Sequence, residues 1–152
     1  MDGFVKAFLK ASLAWLVAGT TGGIAMAMVP AWTVHRPAHA HSVVLGFVAM
    51  MIYGVAYHVI PRFAGAPLPS RTAPIWHWWL SNAGLLLMVS GFITRASAHS
   101  SAAASAGSIM LASGGTLAAA GAWVFAVSIW LTIDRGAPAV VPIAKLRTVT
   151  GQ

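Results

Sequence analysis

Histidine is the residue type in this chain with the most chemistry to offer, and its placement is not random. The chain has six histidines. His39 and His41 stand at the mouth of RPAHAHSVVLGFVAMMIYGVAYHVIPRFAG, residues 36–65, where the sequence turns from polar to wholly apolar. Ionisable groups are rare in such runs because leaving water costs them several kcal/mol, so a histidine there needs a reason. Neutral imidazole is the commonest protein ligand for metals and also binds haem iron. His99 follows a later apolar run at the depth of His39, while His58 and His77 flank a proline-rich connection at the opposite end. Arg36 and Arg62 accompany the two groups, and a guanidinium is suited to pairing with the carboxylates of a bound cofactor.

Other chemistries are poorly supplied. There is no cysteine, which excludes disulfides, thiolate metal sites and cysteine nucleophiles. Asp2 and Asp134 are the only carboxylate side chains, and both lie outside the apolar runs. Paired acid–base catalysis and a carboxylate-lined cation path therefore have no residues to use. No serine has a histidine and an acid arranged about it, and no glycine loop of the phosphate-cradling kind is present.

The elements that must position these histidines are membrane helices. Hydrophobic residues make up 59% of the chain and charged ones 7%, whereas about a quarter of the residues of a soluble domain are charged. A spanning helix needs about 20 apolar residues. Four runs qualify, predicting helices over about 8–30, 39–60, 75–95 and 105–133. The first is too long for a signal-peptide core and has no convincing cleavage site, so it is expected to be a helix. Pro30 and Pro37 separate the first two helices, and Pro61, Pro67, Pro69 and Pro74 mark the second connection. SAHSSAAASAGS reads as a small-residue link before the fourth helix.

The expected fold is all-α: an integral four-helix transmembrane bundle over residues 1–135, followed by a tail, 136–152, containing Pro138 and Pro142. Seven basic residues (Lys6, Lys10, Arg62, Arg71, Arg135, Lys145 and Arg147) fall on one side, and Arg36 and Arg95 on the other. By the positive-inside rule both termini and the tail are cytoplasmic, in a multi-pass protein of the cell inner membrane. The net charge of +7 is spread singly at the ends of apolar runs. That pattern suits an anionic lipid surface and not nucleic acid. Most of the seven tryptophans fall near predicted helix ends, as in an interfacial aromatic belt.

Helical geometry then sorts the histidines. Two residues apart, His39 and His41 point about 200° apart and cannot both face one iron. Pro37 argues against a continuous helix from His35 to His39. His99 is the best same-chain partner for His39 across a bundle, with Arg36 or Arg95 placed for haem propionates. His58 and His77, joined by a proline-rich loop, could approach one another, with Arg62 able to hold a propionate or quinol headgroup. Gly19 and Gly23, Gly46 and Gly54, and Gly107, Gly114 and Gly121 lie at helical spacings. Such stripes permit close helix packing in lipid and would also leave room for a flat macrocycle.

Arg36-Pro37-Ala38-His39, followed by Gly46-Phe47, Gly54, Tyr57 and Pro61-Arg62, resembles the second transmembrane helix of subunit I in haem–copper oxidases and nitric oxide reductases. The HAH…GF…P…G pattern is also similar to the NnrS-like membrane haem proteins. His77-Trp78-Trp79-Leu80, with Asn82 and Gly84, resembles short four-helix subunit-I-like proteins. The resemblance covers about residues 36–95. It implies a low-spin haem held by His39, with Arg36 as the motif's arginine and His41 where oxidase-like members often carry asparagine. An oxidase subunit has about twelve helices, and its later ones supply the remaining ligands.

The expectation is therefore a b-type haem protein, acting in electron transfer or in binding or sensing a diatomic gas such as nitric oxide or oxygen. It would have no binuclear centre and would not be a self-contained oxidase. The cofactor-binding candidates are His39, His41, His99, Arg36, His58, His77 and Arg62. The alternative is a copper or zinc site at His39, His41 and His99, or an accessory subunit of a respiratory complex. A homo-oligomer, most simply a dimer, and a redox partner are expected.

Overall fold

The computed structural model describes residues 1–136, so residues 137–152 of the predicted tail, with Lys145 and Arg147, lie outside the described part. The described residues are helical throughout, with short connections and no strand. Helix α1 spans Gly3–Met28, beginning earlier than the apolar run suggests because Lys6 and Lys10 lie within it. Lysine is a good helix former, and its long stem lets the ammonium reach water from near a helix end.

A 3₁₀ turn, Pro30–His35, leads directly into α2, Arg36–His41. Pro37 sits in the first turn of α2, where a missing N–H does no harm. A π-helical stretch, Ser42–Ala49, and then α3, Met50–Ala64, continue the same rod without a break. The rod outruns its predicted end. Pro61 is carried inside the last turn of α3, and the stop comes at Gly65, whose φ is 63°. Gly65 N–H donates to the Arg62 carbonyl (3.3 Å) and Ala66 N–H to the Pro61 carbonyl (3.1 Å), a Schellman closure that favours glycine at the left-handed position.

Helix α4, Ala73–Ala96, and helix α5, Ser101–Arg135, complete the bundle. Most of the predicted link before the fourth helix is itself helical. The Ser100 hydroxyl accepts from Ala103 N–H (3.2 Å), capping an alanine-rich first turn of high helix propensity. Three helical stretches among the described residues, Gly3–Met28, Pro30–Ala64 and Ser101–Arg135, are long and apolar enough to cross a membrane. Helix α4 has the length, but Trp76, His77, Trp78, Trp79, Ser81 and Asn82 crowd its first half.

Helix α1 packs on the π stretch and α3, and α4 packs along α5. The α4–α5 seam is built from glycine. A Cβ on Gly114 would lie 2.6 Å from the Gly84 carbonyl oxygen, and one on Gly91 would lie 2.8 Å from that of Gly107. The glycines of α5 thus seat the α4 backbone, which fills the slot a macrocycle would need there. The core gathers Val5, Phe8, Met50, Tyr57, Leu85 and Ile129. Trp76, Trp123 and Trp130 are exposed. An apolar exterior of this kind is what contact with lipid requires.

Candidate functional site

The element that places His39 is the start of the rod, against α1. Its imidazole lies over Gly23, where an added Cβ would come within 3.0 Å of Cε1. Its Nδ1 is 2.9 Å from the Gly19 carbonyl oxygen. A carbonyl can only accept, so Nδ1 carries a proton, and in the neutral ring the free lone pair is on Nε2. The Gly19–Gly23 pair therefore receives the imidazole itself: one glycine supplies the carbonyl and the other the space.

Beside this ring is a largely apolar cavity of about 330 Å³. Trp15, Gly19, Met26, Trp32, His35 and His39 are among the residues lining it, with Val89 and Ile93 of α4. His35 is the member that sequence reasoning set aside. The 3₁₀ turn passes into α2 without the break that Pro37 suggested, so His35 and His39, four residues apart, reach the same cavity. The His35 Nδ1 is buried without a hydrogen-bond partner. The i, i+4 spacing was the available signal, and Pro37 masked it.

His41 diverges from His39 as the two-residue spacing requires. Its Nδ1 is 2.8 Å from the Pro37 carbonyl, and its ring is 4.8 Å, centroid to centroid, from Phe92 of α4. Arg36 is exposed at the start of α2, and His99 is exposed in the short connection between α4 and α5. His99 is not among the residues lining the His39 cavity. Among the described residues no group of three or more histidines and carboxylates could hold a metal ion, so His39, His41 and His99 are not gathered into a three-ligand site.

The histidines at the other end also part company. His58 is held by Arg62: Nη1 of Arg62 lies 2.9 Å from His58 Nδ1 and also donates to the His58 carbonyl. His77 is fully buried on α4. Its Nδ1 is 3.1 Å from the Tyr57 hydroxyl. Its ring lies 4.8 Å from that of Phe8, 4.5 Å from Tyr53 and 5.6 Å from Phe125. His77 Nε2 has no partner. A meeting of His58 with His77 gives way to a Tyr57–His77 pair, because Tyr57 and not its neighbour occupies the inward face of the rod.

A helical membrane protein with a histidine held on a glycine pair beside an apolar cavity is the class defined by fold and site. The chain belongs to the family described as Cytochrome C and Quinol oxidase polypeptide I, whose model matches residues 3–95, more than half of its length. It is similar to cytochrome c oxidase subunit 1 of Rhodobacter capsulatus, at 29% identity over 124 residues. That match covers 68% of this chain and 23% of the relative, so the chain spans about a quarter of the relative's length. His39, His41, His58 and His77 all lie within the family match, and α5 lies outside it.

Proposed function

We propose that this chain is a membrane-bound b-type haem protein with His39 Nε2 as an axial iron ligand. One observation carries the reading: His39 donates its Nδ1–H to the Gly19 carbonyl beside an apolar cavity. Iron-ligating histidines characteristically donate the other ring N–H to an acceptor, which fixes the tautomer and orients the ring. An imidazole presented among apolar walls fits the group, while Arg36, three residues before it, is exposed and does not line the cavity. A bound haem would supply one-electron redox chemistry or a site for a diatomic gas. The residues themselves orient the imidazole through the Gly19 carbonyl and surround it with Trp15, Trp32, Val89 and Ile93.

In this reading residues 1–135 form the transmembrane domain and 136–152 a cytoplasmic tail, in the cell inner membrane. The chain acts in electron transfer or in nitric oxide or oxygen binding. It works as a homo-oligomer, most simply a dimer, or within a respiratory complex. His58, His77 and Arg62 form the second candidate group.

Alanine substitution of His39 and His41 separately tests the assignment. The His39 variant is expected to lose the Soret band on purification with ample haem supply, and the His41 variant to retain it. Equal retention in both would refute the assignment and move it to His77. A copper site is the second reading, supported by His35, His39 and Met26 lining one cavity, since imidazole and thioether suit Cu(I). Bound copper with no haem band in the wild-type protein would favour it.

A further inference from the structure

At the end of the bundle remote from His39, the start of α1, the end of α3 and the connection to α4 enclose a second cavity of about 440 Å³. Its lining differs in kind from that of the His39 cavity. Arg62 and Arg71 reach it from two different segments, and Asp2 is the single carboxylate. Phe4, Tyr57 and Leu68 give it an apolar side. Two guanidiniums against one carboxylate leave a net positive cavity.

Arg62 is held in place there. Its Nη1 is tied to the Nδ1 and the carbonyl of His58, one turn back on α3. A guanidinium has five N–H donors, so most of the fork remains for another acceptor. Arg71 follows Ser70, whose hydroxyl accepts from the backbone N–H groups of Thr72 (3.2 Å) and Ala73 (3.3 Å) and so fixes the turn entering α4. One held arginine, a second on the adjoining turn and an apolar wall fit a phosphate that carries acyl chains. Basic pockets between helices at the membrane surface bind anionic lipid headgroups on these grounds.

We infer that this cavity binds the phosphate of an anionic phospholipid, with Arg62 and Arg71 as the ligating side chains and His58 as the residue that positions Arg62. The site shares no residue with the His39 cavity. Native mass spectrometry of the full-length protein in neutral detergent tests it, with phosphatidylglycerol, phosphatidylcholine and inorganic phosphate as probes. Phosphatidylglycerol is expected to stay bound at one per chain, while phosphatidylcholine does not. R62Q/R71Q is expected to weaken retention about tenfold, the scale of losing charge-assisted bonds. Lys10→Gln, away from the cavity, should leave it unchanged. Asp2→Asn provides a second handle if the double variant fails to fold, and removing the one negative charge should tighten binding. Equal retention of the two lipids, or no effect of R62Q/R71Q and Asp2→Asn, would overturn the proposal. Displacement of the lipid by inorganic phosphate at matching concentration would overturn the lipid as the source.

Discussion

The half-buried His39 and the fully buried His77 are held in opposite ways, and substitution should tell them apart. His39 leans on a glycine, so its position depends on an absent side chain. In Gly23→Leu the new Cβ would start 3.0 Å from His39 Cε1, forcing the ring off the Gly19 carbonyl. We expect most of the haem to be lost with helix content by circular dichroism unchanged. Full haem content in this variant would show that the iron is not held by this ring. His77 is instead enclosed by rings and has an unsatisfied Nε2. His77→Ala empties that volume and strands the Tyr57 hydroxyl, and should destabilise by about 3 kcal/mol or more. His77→Phe strands the same hydroxyl but keeps a ring in the space and removes the orphaned nitrogen, so its loss should be the smaller of the two, about 1–3 kcal/mol. Thermal unfolding in detergent compares them; equal losses would mean that ring packing is not what holds this site.

Among the elements, α4 and α5 depend on one another most closely, through a seam in which glycines let the two backbones touch. Gly114→Ala places a Cβ 2.6 Å from the Gly84 carbonyl oxygen, which only movement of a whole helix relieves. Such overpacking costs about 1–3 kcal/mol. The next residue is the control: a Cβ on Gly115 meets nothing within 4 Å. Gly115→Ala should therefore be neutral or stabilising by about 0.5–1 kcal/mol through backbone entropy. Melting temperatures of the two variants check this, and a similar response from both would mean that the seam is not close-packed. The π stretch shows why the rod resisted sequence-based phasing. Residues 42–49 advance by i→i+5 bonding, so faces extrapolated at 3.6 residues per turn from His39 no longer apply beyond Ala49.

For the molecule as a whole, the histidines are distributed at the two ends of the rod. His39 and His58 are separated by about 25–30 Å of helix rise. A centre that reduces oxygen or nitric oxide needs an open haem coordination position beside a second metal with its own set of ligands. The side chains do not converge that way: His39 faces α1, His41 faces Phe92, His58 faces Arg62 and His77 faces Tyr57. The purified 152-residue chain, loaded with haem and given a chemical reductant, is expected to consume neither gas faster than free haem does. Steady turnover above that background, read with a gas electrode, would overturn the electron-transfer or gas-binding reading. The glycine faces of α1 and α5 are occupied within the chain by the rod and by α4. A dimer would therefore have to use other surfaces.

Sequence alone determined the helical class and the membrane setting, because apolar length and the scarcity of charge are local quantities that no packing reverses. It also determined that His39 and His41 must diverge, since two residues on a helix always do. The family was legible in Arg36-x-x-His39 and the glycines that follow it. Helix ends were less so: Pro61 stands inside a helix because a Schellman closure at Gly65 stops the rod later. Only the tertiary structure decided which surfaces meet. It put Tyr57 and not His58 against His77, returned His35 to the His39 cavity, and filled the α5 glycine stripe with α4. Each of these depends on the rotation of one helix about its axis relative to another. The apolar outer surface of a membrane protein leaves almost no inside–outside pattern from which to read that rotation.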